Sequence, residues 1–167
     1  ITEIAEQTKQ NALNANETNV KAAETMRYAQ EGNGFDCFAP EQREAIRVGL
    51  TQRLSIVTGP PGSGKSTLLR AICDIYVQQN LVPMLYMAAP TGRAAKRMKE
   101  ATGYEIAKTI HRLLGYNPMH GFEYNRDNPL PGPGLLIVDE ASMMDIELAY
   151  TLLSACGKLQ VVLVGDV

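Results

Sequence analysis

The sequence predicts an α/β domain in which helices cover both faces of a doubly wound, mostly parallel sheet. Two observations predict this class: four apolar runs without polar alternation, and stretches of helical periodicity between them. The runs are 54–57, 84–88, 135–138 and 161–164. Strands without alternation are typical of a parallel sheet buried on both faces. Such sheets bind ligands at the carboxyl ends of their strands, where each run here is followed by glycine, threonine or carboxylate residues.

The composition is that of an ordinary globular domain with a small appendage. The chain has 167 residues, of which 45% are hydrophobic and 20% are charged, and its formal net charge is -2. Its cysteines, Cys37, Cys73 and Cys156, are scattered, which argues against a disulfide framework or a zinc site and predicts a reducing, cytoplasmic setting. No apolar run approaches membrane-spanning length, and the first residues lack the layout of a signal peptide, so we expect no membrane partner.

The N-terminal residues 1–34 differ from the rest in being polar. We expect one or two surface helices there, the tail of an upstream region, ending at the glycine-rich break at 32–34. One domain then occupies 35–167. It opens with a helix at Pro40-Glu41, because proline suits the first helical position and an acid suits the helix dipole.

A glycine-rich loop follows the first apolar run. Its residues G-P-P-G-S-G-K-S match the phosphate-binding pattern G-x-x-x-x-G-K-[ST], between a predicted strand and a helix from Ser66 to about Gln79. Glycines let backbone N–H groups point at phosphate oxygens, Lys65 reaches the β- and γ-phosphates, and the Ser66 hydroxyl binds Mg²⁺. An ordinary Gly/Pro turn is the alternative. The residues assigned to the nucleotide in this loop are Gly59, Pro60, Gly62, Ser63, Gly64, Lys65, Ser66 and Thr67.

Two carboxylates end the third apolar run. Asp139 is placed to hold Mg²⁺ opposite Ser66, and Glu140 to accept a proton from an attacking water. Together with a phosphate loop, these are the groups that phosphoryl transfer to water requires. Alternatively, the pair only begins a turn, with Ser142 or Asp145 capping the next helix. Glu140 also argues against a small-molecule kinase, which needs no residue that activates water.

Motifs in a fixed order make the chain closely resemble the RecD-like group of superfamily 1 helicases over 38–167. In chain order the matching segments are P-E-Q-R-E-A-I, V-T-G-P-P-G-S-G-K-S-T, A-P-T-G-R-A-A-K-R-M, T-I-H-R-L-L-G, V-D-E-A-S-M-M-D and L-V-G-D-V. The resemblance implies a RecA-like fold of the P-loop NTPases and an ATP-dependent DNA helicase that moves 5′ to 3′ on single-stranded DNA. It also implies that Gln42 contacts adenine and that Asp166 helps to couple nucleotide state to DNA. The alternative for Gln42 is an exposed residue at a helix start.

A cationic cluster lies at 89–100, after the second apolar run. Arg93, Lys96 and Arg97 are three and four residues apart, so they share one side of the predicted helix. The other side is apolar and consists of Ala94, Ala95 and Met98. A phosphate can bind the free N–H groups at the start of this helix. Given the resemblance, we expect it to be a DNA backbone phosphate, bound without sequence readout.

The alternative for this cluster is a solvated helix face, and that interpretation is preferred for Lys99. For His111, base stacking and ordinary core packing both stay open. The predicted DNA-contact residues are Pro90, Thr91, Gly92, Arg93, Lys96, Arg97, His111 and Arg112.

The proline- and glycine-rich stretch 116–134 predicts a long surface excursion with a small hairpin around 122–124. The resemblance further implies a second RecA-like domain that supplies an arginine finger, and a partner assembly in recombination or repair. The chain stops inside the last matching motif. We therefore expect a first motor domain that binds ATP and Mg²⁺ weakly, hydrolyses ATP very slowly and unwinds nothing by itself.

Two other functions would also use a phosphate loop. One is a nucleotide-binding switch, which Glu140 disfavours because a switch does not need to activate water. The other is an AAA-type remodeller of proteins. The segment P-T-G-R-A-A disfavours it, because a remodeller has no need to grip a nucleic-acid phosphate.

Overall fold

The computed structural model describes residues 38–78 and 84–166. The predicted helical segment at 1–34, Cys37 and the predicted helix end at Gln79 lie outside the described residues. Within those residues the chain folds into seven strands. In chain order they are β1 (Leu54–Thr58), β2 (Met84–Ala89), β3 (Lys108–Thr109), β4 (Tyr116–Asn117), β5 (Gly121–Phe122), β6 (Gly134–Val138) and β7 (Leu159–Gly165).

Five of these strands form one sheet in the order β1-β7-β6-β2-β3. Every neighbouring pair in it is parallel, which confirms the predicted fold class. Strands β4 and β5 form a separate antiparallel hairpin. All five residues of β6 are buried, as expected for a strand that has neighbours on both sides and helices on both faces.

Five helices and one 3-10 turn connect the strands in the described part of the chain. They are α1 (Pro40–Thr51), α2 (Lys65–Gln78), α3 (Gly92–Thr102), α4 (Ile110–Leu113), the 3-10 turn Ala141–Met143 and α5 (Ile146–Ala155). Proline occupies the start of α1, as predicted. No helix within 38–78 and 84–166 is both long and apolar enough to cross a membrane.

The helices cover both faces of the sheet, so the fold is doubly wound. Helices α1, α2 and α3 pack on one face, where Ile46, Ile72 and Met98 meet Ile137 and other strand residues. Helices α4 and α5 pack on the opposite face, in a second cluster that includes Ile110, Leu152 and Leu136. Successive residues of β6 enter opposite clusters, because side chains of a strand alternate between its two faces.

The structure corrects three sequence expectations. Strand β3 was not predicted, because Lys108 and Thr109 carry no apolar pattern and are held only by pairing with the end of β2. The hairpin lies earlier than 122–124, since Tyr116 pairs with Phe122. The stretch after it is not wholly on the surface, because Leu130 is buried in the second cluster.

The strand order determines what meets at the carboxyl edge of the sheet. Strand β7 lies between β1 and β6, and its last residue, Gly165, pairs with Thr58 at the end of β1. Asp166 therefore emerges beside Gly59, the first residue of the glycine-rich loop. Asp139 follows β6 on the other side of β7, and the basic helix α3 follows β2 next to it. These motifs, which were predicted to bind ligands, therefore lie side by side along the carboxyl edge of the sheet.

Candidate functional site

The glycine-rich loop reverses the chain between β1 and α2. Gly62 and Gly64 have φ values of 81° and 83°, in the left-handed region that other residues adopt only at a cost. The Ser63 N–H donates to the Pro60 carbonyl at 3.2 Å, and the Leu68 N–H donates to the Gly64 carbonyl at 3.0 Å. The loop thus ends at the first turn of α2, whose free N–H groups and positive dipole end face the carboxyl edge.

Lys65 folds back over the loop. Its ammonium group donates to the carbonyls of Gly59 at 2.6 Å and Pro60 at 2.9 Å, and it lies 2.7 Å from Oδ1 of Asp166. The Lys65 side chain is 16% exposed and that of Asp166 is 46% exposed. Partial burial of the lysine makes the ion pair less screened than an ordinary surface pair.

Gln42 is tied both to α1 and to the loop. Its Oε1 accepts a hydrogen bond of 3.1 Å from the Ala39 N–H at the start of α1, and its Nε2 donates to the Ser63 carbonyl at 3.2 Å. The amide also closes the space beside Gly64, where an added Cβ would lie 2.8 Å from Nε2. Gln42 is thus not a freely exposed residue at a helix start, because it joins that helix to the loop.

Asp139 is held at the end of β6. Its backbone N–H donates to the Ala88 carbonyl at 3.0 Å, and its Oδ1 accepts a 2.9 Å hydrogen bond from the Glu140 N–H. Burial raises the pKa of the Asp139 carboxyl above its ordinary value, and the nearby carboxylates of Glu140 and Asp166 act in the same direction. The Glu140 N–H and Lys65 oppose this rise in the pKa. A cation placed here would favour the charged form of Asp139.

Glu140 adopts a left-handed backbone conformation, with φ 54° and ψ 38°. It is the one residue other than glycine with a positive φ in the described part of the chain. Such a conformation costs about 1–2 kcal/mol for a residue with a side chain. Strained residues of this kind cluster at functional sites, where the backbone directs a side chain that chemistry needs.

The chain after Glu140 packs against the end of β7. A Cβ on Gly165 would lie 3.1 Å from the Ser142 backbone nitrogen, so a larger residue would push the 3-10 turn away by a few tenths of an ångström. Asp145 then caps α5 by accepting a 2.7 Å hydrogen bond from the Leu148 N–H. Both parts of the alternative for this segment are therefore present, because Glu140 also begins the 3-10 turn, with its carbonyl accepting a 3.0 Å hydrogen bond from the Met143 N–H.

The residues present fit a magnesium ion that is bound together with a nucleotide. The available donors are oxygens, the exposed hydroxyl of Ser66 at the start of α2 and the carboxylate of Asp139. No group of three or more His, Cys, Asp or Glu side chains that could hold a metal occurs in the described residues. Mg²⁺ is typically bound by one or two carboxylates together with substrate phosphates and waters.

Helix α3 presents a basic face to solvent. Arg93, Lys96 and Arg97 are exposed, whereas the opposite side, Ala94, Ala95 and Met98, is buried as predicted. Lys96 lies 3.9 Å from Glu100, but both side chains are largely exposed, so this pair holds the lysine only weakly. Lys99 contacts Glu105 at 3.3 Å, in agreement with its exclusion from the predicted DNA contacts.

Thr91 caps this helix. It has an extended backbone, and its Oγ1 accepts a 3.2 Å hydrogen bond from the Ala94 N–H. This arrangement leaves the N–H groups of Gly92 and Arg93 without an acceptor inside the helix. Pro90 and Thr91 directly follow β2, which places this helix start at the carboxyl edge.

An aromatic cluster follows β3, the strand that pairs with the end of β2, from which α3 also follows. His111 is exposed, so it is not a core residue, and its ring centroid lies 5.5 Å from that of Tyr116 and 5.6 Å from that of Phe122. Tyr116 and Phe122 are 5.0 Å apart across the hairpin, and Tyr116 is 49% exposed. Tyr116 was not among the predicted DNA contacts. The predicted hairpin was the sequence feature that could have brought Tyr116 to attention. Arg112 is exposed next to His111.

The fold and the glycine-rich loop define a P-loop NTPase domain of RecA-like architecture. The family model described as an AAA domain matches residues 42–167, and the chain belongs to that family.

Among curated relatives, the chain is similar to the ATP-dependent RecD2 DNA helicase of Deinococcus radiodurans, at 48% identity over 75% of this chain and 17% of the relative. It is also similar to the RecBCD enzyme subunit RecD of Mycolicibacterium smegmatis, at 37% identity over 81% of this chain and 28% of that protein. The chain thus spans less than a third of the length of these relatives.

A solved structure shows the same relationship. The Pif1 helicase from Candida albicans matches with a TM-score of 0.50 and 27% identity, over 77% of this chain and 32% of that one. Together these similarities confirm the resemblance to RecD-like helicases predicted from the motifs. They favour a helicase motor domain over a nucleotide switch or a protein remodeller.

Proposed function

We propose that residues 35–167 form the first RecA-like motor domain of an ATP-dependent DNA helicase, preceded by an upstream helical segment at 1–34. One observation carries the proposal: the phosphate loop, the Asp139-Glu140 pair and the start of the basic helix α3 follow strands of one parallel sheet and share its carboxyl edge. A nucleotide and a nucleic acid bound along this edge are close enough for a shift at one site to act on the other.

The loop and the start of α2 bind the phosphates of ATP. Backbone N–H groups donate to the phosphate oxygens, and Lys65 supplies a positive charge beside them. Gln42 is tied to the loop through Ser63, and its amide is proposed to contact the adenine. Ser66 and Asp139 are proposed to hold Mg²⁺, which when bound neutralises charge that develops on the phosphates.

Glu140 acts on the water. Its carboxylate accepts a proton from the water that attacks the γ-phosphorus, and ADP leaves as the bond from the γ-phosphorus to its leaving oxygen breaks. The left-handed backbone of Glu140 turns its side chain away from the direction that the strand gives Asp139. The two adjacent carboxylates can therefore have different tasks, one at the metal and one at the water.

The basic start of α3 binds the phosphate backbone of single-stranded DNA. The free N–H groups of Gly92 and Arg93, with the Arg93 and Arg97 guanidinium groups, are suited to phosphates and read no bases. His111 and Tyr116 add exposed rings at the same edge, and aromatic rings stack on the bases of single strands of any sequence. Pro90, Lys96 and Arg112 complete this proposed track.

The whole protein is proposed to contain a second RecA-like domain that completes the ATP site with an arginine finger and couples hydrolysis to 5′-to-3′ translocation through Asp166. A complex that acts in DNA recombination or repair is the proposed setting. The free, buried thiols of Cys73 and Cys156 suit a reducing cytoplasm.

The ATPase rate of the full-length protein, with and without single-stranded DNA, tests the proposal. Stimulation of at least tenfold by single strands, and little by the same mass of double-stranded DNA, is the expected result for a motor of this kind. ATP hydrolysis that is indifferent to DNA would instead support the nucleotide switch or the protein remodeller. Binding of labelled single strands to the 167-residue chain, measured across a salt series, checks the contribution of this domain alone.

A further inference from the structure

Asp166 is the residue that the proposed hydrolytic chemistry leaves without a direct task. It is not a nucleotide ligand by motif, yet its Oδ1 lies 2.7 Å from the Lys65 ammonium. The same ammonium donates to the carbonyls of Gly59 and Pro60. The Lys65 ammonium thus has two hydrogen-bonded carbonyls from its own loop and one ion-pair partner, Asp166, from the end of β7.

The fold holds Asp166 in this position. Gly165 pairs with Thr58, so the residues that follow, Asp166 and Gly59, leave neighbouring strands side by side. On its other face, Gly165 is pressed against the Ser142 turn, which restricts how far the end of β7 can move. The carboxylate is therefore fixed against the phosphate loop by backbone pairing and close packing rather than by a flexible loop.

We propose that Asp166 is a positioning residue that holds Lys65 against the loop and competes with nucleotide phosphates for its ammonium group. This inference rests on the proposed ATP-binding function of the loop. A phosphate bound beside Lys65 would share the charge of the ammonium with Asp166, which is the one of its three partners that does not belong to the loop.

The negative charge of Asp166 weakens nucleotide binding, as its contact with Lys65 does. Its carboxylate lies at the edge where the phosphates are proposed to bind and repels them, while it also neutralises the lysine that attracts them. Both effects weaken the binding of a nucleotide that carries phosphates. Neither acts on the adenine or the ribose, which carry no charge.

The variant Asp166→Asn tests this inference, because asparagine keeps the size of the side chain and removes its charge. Titration calorimetry of the 167-residue chain with ATP, ADP and adenosine, at fixed ionic strength with and without Mg²⁺, gives the three affinities. We expect ATP to bind about fivefold more tightly to the variant, because the substitution removes a partly exposed ion pair that opposes binding. The affinity for adenosine should be unchanged. Asp166→Glu, which retains the charge, should stay near the wild type.

Asp127→Asn is the matched control, since it removes the same charge from an exposed position in the loop after β5 and should change no affinity. Unchanged or weaker ATP binding by Asp166→Asn overturns the inference. A loss of ATP affinity that occurs only in solutions with Mg²⁺ also overturns the inference, because Asp166 would then act on the metal. If the wild-type chain itself binds no ATP, the proposed function fails instead.

Discussion

The backbone N–H of Glu140 donates a 2.9 Å hydrogen bond to Oδ1 of Asp139, so two adjacent acidic residues are locked in one arrangement at the end of β6. The bond satisfies one oxygen of Asp139 and leaves the other without a hydrogen bond within residues 38–78 and 84–166. It also accompanies the left-handed conformation of Glu140. The two adjacent carboxyl groups therefore differ in backbone conformation and in hydrogen bonding, and the proposed function gives them different roles.

Replacing Glu140 by Gln should abolish hydrolysis while sparing binding. The amide keeps the shape of the side chain but cannot accept a proton, so we expect the steady-state ATPase rate of the full-length protein to fall about a hundredfold or more. ATP affinity should stay within about twofold. The control is Glu147→Gln, in the exposed first turn of α5. An ATPase rate equal to that of the wild type would remove Glu140 from the mechanism.

The strained backbone of Glu140 predicts that glycine is more stable than alanine at this position, the reverse of their usual order in a helix. At φ 54° alanine pays the steric cost of the left-handed region and glycine does not, so Glu140→Gly should be more stable than Glu140→Ala by about 1 kcal/mol. At Arg70, an exposed position in the interior of α2, the same two substitutions should show the usual order, with Gly less stable than Ala by about 0.5–1 kcal/mol. Urea denaturation of the four variants of the 167-residue chain decides this. The same order at both positions would contradict the backbone conformation.

Asp139→Asn should raise the stability of the fold at neutral pH. Because burial raises the pKa of Asp139, the folded state holds a proton more tightly than the unfolded state, and stability falls as the pH rises from the unfolded to the folded pKa. Asparagine carries no charge, so its stability does not fall in this way as the pH rises. Its side-chain oxygen can still accept a hydrogen bond from the Glu140 N–H. The gain in melting temperature should be present at pH 7 and absent at about pH 3, where Asp139 is protonated in both states. An equal gain at both values would show that charge is not the cause.

Arg93→Ala should weaken binding of single-stranded DNA, with little effect on ATP. Loss of one phosphate contact predicts a fall in affinity of about tenfold at low salt and a salt dependence shallower by about 0.7 in log–log slope. Lys158→Ala is the control, because Lys158 is exposed at the amino end of β7, the opposite edge of the sheet. Fluorescence anisotropy with a labelled oligonucleotide across a salt series measures both quantities. Equal slopes for the two variants would place the DNA elsewhere.

Tyr116→Ala should weaken binding of single strands by about 1–3 kcal/mol, the typical contribution of one stacked base, and should leave the salt dependence unchanged. Tyr150→Ala removes an equally large exposed ring from α5, which carries none of the proposed DNA contacts, and should have no effect. An abasic oligonucleotide should bind the wild type and Tyr116→Ala equally well. If the variant still binds it more weakly, stacking is not the role of Tyr116.

Local patterns were enough to predict several features of this chain. The loop around Lys65 is a contiguous motif in which glycines occupy the left-handed positions, and the apolar runs identify β1, β2, β6 and β7. Burial on both faces explains the run at β6, whereas in β1 Leu54 and Ile56 are exposed, contrary to the expectation from the sequence. The two sides of α3 follow from residues three and four apart. In each case the determining residues are neighbours in sequence, so backbone sterics and periodicity suffice.

The relationships between those elements came only from the tertiary structure. An apolar run does not indicate which strand lies next to it, so nothing in the sequence shows that β7 separates β1 from β6 and brings Asp166 to Lys65, about a hundred residues away in the chain. The aromatic cluster of His111, Tyr116 and Phe122 likewise depends on hairpin pairing. Sequence alone determined the fold class and predicted the kind of site and its candidate residues. Packing of distant segments against one another decided which of them touch, because contacts of that kind are a property of the whole core.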